Sequence, residues 1–362
     1  MNPITIIVLI FSCLAILDKL FGDRFGLGKE LENAFHIFCP MMLSMLGMLI
    51  VSPAIGQWMM PVFEGFYNLF GIDPSVIPAS LFANDMGGQT LSLAICKSEA
   101  IGNFNAYVVS SMLGCVISFT IPFSIGVVKP HQHRDLFFGT LCGIATVPMG
   151  CLVAGLMCGL DILTLLLTLL PLLIFAFVIG FFLILFPNGC IKAFTIFGHI
   201  IRAIALVGLA CAIFTFLTKT TINPYFDTLE NASAICVNAC ITLAGTMPLM
   251  FLVSKALNKP MTRLGSCIGV NGISAIGFLS SLVTNATTFG VMDRMNRKGV
   301  VLNAAFSVSA SYVFGSHLAF TMAFESSYVA PVIVGKLVSG VFAVLLACLI
   351  FKEPQPEATV EA

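Results

Sequence analysis

Charge is what this sequence has least of. Of 362 residues only 9% are Asp, Glu, Lys or Arg, against about 25% in soluble domains, while 58% are hydrophobic and the mean hydropathy is +1.03. Such a chain cannot keep itself in water as a globular domain, and it reads as a polytopic membrane protein. The charges that are present cancel, seventeen basic against seventeen acidic, so the balance argues neither for a basic surface that binds nucleic acid nor for an acidic disordered region. None of the thirteen cysteines forms a CxxC pair; Cys115, Cys142, Cys151, Cys211 and Cys240 sit in apolar runs and read as small buried hydrophobes. The opening stretch, MNPITIIVLIFSCLAIL, lacks the basic region and cleavage site of a secretory signal and is expected to be a first membrane segment. Also missing are a GxSxG elbow, an HExxH pair and a phosphate-cradling GxxxxGKS loop. No catalytic residue, metal ligand set or cofactor is therefore assigned. A membrane-embedded enzyme stays a minor alternative, as does a substrate sensor, against which the lack of a soluble signalling domain counts.

What is abundant is apolar sequence in runs of spanning length, about 20 helical residues each. They occur at 3–20, 34–56, 102–128, 137–159, 162–186, 192–218, 232–257, 300–323 and 331–351. Two further apolar regions, Pro53 to Leu91 and Lys259 to Met292, are broken by Pro, Gly and Asn and are expected to be pairs of short or re-entrant segments. They hold corresponding places in the chain. Asn84 and Asn285, Gly114 and Gly315, and Phe119 and Phe320 are each 201 positions apart (285 − 84, 315 − 114, 320 − 119); Asn105, Ala106 pair with Asn303, Ala304 at 198. The expected fold is an all-α polytopic membrane protein of two inverted structural repeats with broken helices, 1–160 (broken region 53–96) and 188–352 (broken region 259–292), joined by a linker helix at 161–187 and followed by a cytoplasmic tail, 353–362. Basic residues near Lys19, Lys129, Lys259 and Arg297 can all be cytoplasmic if the N-terminus is outside and the C-terminus inside; Lys97 and Lys219 then face outward.

The stretch IPASLFANDMGGQTL places Asp85 within an apolar run, and an ionised carboxylate at membrane depth costs roughly 2.5 to 3.5 kcal/mol on insertion scales, so it needs a partner or a task. Gly87 and Gly88 weaken the helix there, and Asn84 and Gln89 offer donors and acceptors, as in transporter sites built from discontinuous helices. A tight turn in the headgroup region is the competing reading. Glu64, among Phe63, Phe66, Tyr67 and Phe70, pairs an acid with ring faces that suit a cation; an interfacial helix with its acid in water would look the same. Asn271 and Asn285 could supply neutral polar groups opposite Asp85, or simply cap helix ends. His317, in YVFGSHLAF, is a proton-linked or substrate-bonding candidate, or a packed core histidine. His131 and His133, in KPHQHRD, fit a solvated turn better than a metal site.

Several stretches carry a family resemblance: PVFEGFYNLFGIDPS, LFANDMGGQTL, ATVPMGCLVAGL, GVNGISAIGFLSSLVTN, MDRMNRKGVVLNAAFSVSASYVFGSHLAF and VIVGKLVSG. Together they resemble the bacterial ethanolamine-utilisation permeases, the EutH family, over nearly the whole chain. The resemblance implies a permease in the bacterial cytoplasmic membrane that carries ethanolamine for breakdown elsewhere in the cell. The lipid bilayer is then its surroundings, and a homo-oligomeric state stays open. It does not itself assign binding residues. Read beside it, Asp85 with Glu64 suits the ammonium, and Asn84, Gln89 or Asn285 the hydroxyl. An ion-coupled transporter of another small amine is the alternative.

Overall fold

In the computed structural model, which describes residues 3–352, every regular element is a helix. The expected tail, 353–362, lies outside the described residues. Helix α1 (Pro3–Leu20) and the 44-residue α2 (Leu27–Phe70) are followed by two short helices, α3 (Val76–Leu81) and α4 (Gly88–Ile95). A rod then runs continuously over Glu99–Val127, starting as α5 (Glu99–Phe104) and ending as α6 (Ile121–Val127). Next come α7 (His133–Met157), α8 (Ile162–Leu185), α9 (Pro187–Thr218) and the 39-residue α10 (Leu229–Cys267). Two more short helices, α11 (Gly272–Val283) and α12 (Asn285–Gly290), precede α13 (Arg297–Ala310), α14 (Ser316–Phe324) and α15 (Val329–Ile350).

Eight of the helices among the described residues are long and apolar enough to cross a membrane. Nine runs are expected from hydropathy, and the difference is the run 300–323, which the structure interrupts at Ser311–Gly315. The broken regions also begin later than proline placement suggests. Helix α2 passes straight through Pro53 to Phe70, and α10 passes through Pro260 to Cys267. A proline removes one backbone hydrogen bond, a loss that a long, packed membrane helix absorbs by local adjustment. Both helices stop instead where the chain turns into the left-handed region at glycine, Gly71 (φ 65°) directly after α2 and Gly269 (φ 77°) two residues after α10.

The rod is the most deeply buried span, with every residue from Asn105 to Ser118 inside the protein. Its middle, Asn105–Gly114 and Val116–Thr120, winds with the wide π spacing found at functional sites. Around it α8 shows how an all-apolar helix chooses a face. Leu165, Leu169, Leu172, Ala176, Ile179 and Leu183 recur at helical period and join the main buried cluster, whereas Leu163, Leu166 and Phe177 point outward, as a lipid-facing surface requires. At one end of the molecule the loop after the rod is strapped to the loop before α13. Lys129 pairs with Asp293 at 2.9 Å, and the Arg297 guanidinium donates to both oxygens of Asp135 at 2.8 Å.

Candidate binding cavity

Three interruptions of helix meet at one place. The first lies between α3 and α4. Ala83 is extended, a single turn covers Asn84–Met86, and Gly87 takes φ 97°, which L side chains avoid. A Cβ on the next residue, Gly88, would collide with the Phe82 carbonyl. The rod stitches this break in place, since Ser118 Oγ accepts from the Ala83 N–H at 3.0 Å. The second interruption is at Thr284, extended between α11 and α12. The third, between α13 and α14, turns on Tyr312 at φ 62°, and its backbone N–H groups at Tyr312 and Phe314 donate to Ser281 and Leu282 carbonyls at 3.1 and 2.9 Å.

Between these interruptions lies a cavity of ≈ 630 Å³. Asp85 and Met86 line it from the first break, Thr284 and Thr287 from the second, and Tyr312, Ser316 and His317 from the third. Phe119 and Phe123 of the rod form one wall, their rings stacked at 5.2 Å, with Tyr312 edge-on to Phe119 at 5.9 Å. The remaining wall is apolar, with Met45 of α2 and Met247 of α10.

The polar groups are held in two chains. In one, the Tyr312 hydroxyl donates to Asn285 Oδ1 at 2.5 Å, and Asn285 Nδ2 donates to Thr120 Oγ1 at 3.2 Å. In the other, the Ser316 hydroxyl neighbours the Asp85 carboxylate in the cavity lining, and the adjacent His317 accepts from Lys336 at 3.1 Å. Lys336 of α15 is wholly enclosed; its ammonium also donates to the Ser111 carbonyl in the π-wound rod. Asp85 and Lys336 interact electrostatically. The arrangement presents one acid, flanking hydroxyls and ring faces, which is chemistry suited to a small ammonium carrying a hydroxyl.

Of the residues expected from sequence, Asp85 and His317 line the cavity and Asn285 stands directly behind Tyr312. Asn84, Gly87, Gly88 and Gln89 shape the break from behind. Asn84 Oδ1 accepts from the Asp85 N–H at 3.0 Å, while Asn84 Nδ2 and both polar atoms of Gln89 are buried without a hydrogen-bond partner. Two residues are not brought to the site. Glu64 pairs with Lys97 at 3.2 Å, its side chain 52% exposed. Because α2 is continuous, Glu64 stands about 28 Å along the helix from the cavity-lining Met45. Asn271 caps α11, accepting from the Ser274 N–H at 3.1 Å, and donates to the Arg294 carbonyl at 2.9 Å. The aromatic faces nearest the acid are thus Phe119, Phe123 and Tyr312 rather than the rings around Glu64. Sequence reasoning does not single out Lys336, Tyr312 or Ser316. Lys336 alone carries a signal, a charge inside an apolar run. Among the described residues no three His, Cys, Asp or Glu side chains gather as a metal site.

The family model described as "Ethanolamine utilisation protein, EutH" matches residues 1–350. The chain is 35% identical over 338 residues to a "Probable ethanolamine permease EutH" of Listeria monocytogenes, covering 93% of this chain and 91% of that one. It is 31% identical over 395 residues to a protein of the same description from Salmonella typhimurium, covering 98% and 97%. An "Uncharacterized protein YxeR" of Bacillus subtilis is 31% identical over 346 residues, covering 96% and 94%. No solved structure matches.

Proposed function

The chain belongs to the EutH family, and from that premise we propose that it carries ethanolamine across the bacterial cytoplasmic membrane, recognising the protonated amine at Asp85. The observation that carries this is the meeting of three helix interruptions at one cavity containing a carboxylate. Backbone irregularity at membrane depth is tolerated where it lines a cavity, and a lone acid there gives a cation its counter-charge. The ammonium sits between Asp85 and the faces of Phe119 and Tyr312; the hydroxyl reaches Thr284 or Ser316. Ethanolamine has about four heavy atoms, so binding free energy is bounded near roughly 6 kcal/mol and the dissociation constant lies at tens of micromolar or weaker. It fills a small part of the cavity, and the rest serves as the way in.

The same reading includes two inverted repeats joined by α8. Several features support it. A long helix, two short helices and a helix follow one another in each half. Gly114 abuts the Phe82 carbonyl and Gly315 abuts the Val283 carbonyl, both members of each pair 201 positions apart (315 − 114, 283 − 82). Asn105 Nδ2 donates to Ser75 at the start of the first broken hairpin, and Asn303 Nδ2 donates to Ser274 at the start of the second. The pairs Lys129–Asp293 and Arg297–Asp135 support placing two of the basic loops on one membrane face, with the N-terminus outside.

Counterflow of labelled ethanolamine in proteoliposomes of the purified protein tests the function. Saturable exchange is expected, with competition by small primary amines and none by ethylene glycol. Choline keeps the charge but has no N–H donor, so a carboxylate site rejects it. Absence of counterflow, or strong inhibition by ethylene glycol, would overturn the reading.

A further inference from the structure

Lys336 stands one layer behind the cavity wall, and the proposed transport reaction leaves it unexplained. Its ammonium is enclosed on all sides. Facing it are the Ser111 carbonyl and Cys115 from the rod, Cys151 from α7, His317 from α14 with the Tyr312 ring packed against it at 5.1 Å, and Asp85 from the first break. Asp85, Cys115 and His317 reach the cavity; Lys336 does not. One carboxylate and one ammonium share this low-dielectric region and together are neutral. A substrate ammonium arriving at Asp85 adds a second positive charge, and repulsion between two ammonium groups is poorly screened there. Losing a proton from the tethered amine restores neutrality, and His317 is the cavity-lining neighbour hydrogen-bonded to it, through Nδ1.

We propose that Lys336 is an internal ammonium that balances Asp85 in the empty site and gives up its proton through His317 when the substrate ammonium binds, so that transport exchanges one ethanolamine cation for one proton. This rests on the assignment of the ammonium to Asp85. The balance is simple. Protonated Lys336 and a protonated amine from the cavity become neutral Lys336, bound protonated amine and one proton released on the side of binding. After the carrier reopens and the amine departs, Lys336 takes a proton from the opposite side. The net movement is electroneutral, equivalent to passage of the uncharged amine, but it draws on the abundant protonated form.

Calorimetric titration of the purified full chain with ethanolamine, in two buffers of different ionisation enthalpy, counts the protons. About one proton released per ethanolamine is expected, with affinity rising about tenfold per unit between about pH 6 and about pH 8, where the ligand amine stays protonated. In proteoliposomes, wild-type uptake should ignore an imposed membrane potential. Lys336→Gln keeps a donor for Ser111 but releases no proton, and its uptake should increase under an inside-negative potential. Lys336→Arg fixes the charge and should abolish binding. Binding by the wild type without proton release, or undiminished proton release from Lys336→Gln, overturns the proposal; if Lys336→Gln fails to fold, the wild-type count still decides. No binding heat in any buffer would instead sink the ethanolamine assignment, and this inference with it.

Discussion

Asp85→Asn preserves the outline of the side chain beside Ser316 while removing the charge, so saturable uptake is expected to fall to the level of protein-free vesicles, with elution on size exclusion unchanged. Uptake retained at the wild-type rate would show that the acid is not the counter-ion. Asp85 is legible in the sequence because an ionisable group inside an apolar run must have a function or a partner. The same rule applied to 331–351 finds Lys336, which a count of basic residues in loops passes over. Tyr312 and Ser316 are not legible in this way. A tyrosine and a serine in a Ser-rich run look like ordinary helix packing, and only the left-handed turn at Tyr312 aims them at the cavity.

The elements divide according to what breaks a membrane helix. Proline is the obvious sign in sequence, and it misplaces the start of both broken regions, because α2 and α10 run through theirs. At the break between α13 and α14 the cause is tertiary: carbonyl groups of α11 receive the N–H groups freed at Tyr312 and Phe314, a partnership between segments no local pattern reveals. The continuity of α2 sets the fate of Glu64. Its pair with Lys97 is an exposed one, contributing about 0 to 1 kcal/mol, so Glu64→Gln should leave ethanolamine uptake within about twofold of wild type. The strap between the loops around Lys129 and Asp293 carries a pH signature. The Lys129 hydrogen bond holds the Asp293 carboxyl below its ordinary range. Its contribution is therefore present above the unfolded-state value and is lost as pH falls through the folded-state one. Wild type should melt above Lys129→Ala at neutral pH, and the two melting curves should converge on acidification.

At the scale of the whole molecule, orientation is the property the proposed transport depends on. Single cysteines placed near Lys29, His133, Lys259 and Lys298, in a background cleared of the native thiols, should resist an impermeant maleimide added to intact cells. Labelling of any two from outside would reverse or dissolve the inverted arrangement. Helix α2 also connects the cavity to a spectroscopic reporter. The sole tryptophan, Trp58, lies on α2 about 20 Å beyond Met45 and is 61% exposed on the outer surface. Ligand in the cavity cannot touch that indole, while lipid can. Brominated acyl chains should therefore quench the intrinsic fluorescence, and a change in that quenching on adding ethanolamine would register α2 swinging as a lever, an optical readout of the proposed transport motion built into the unmodified chain.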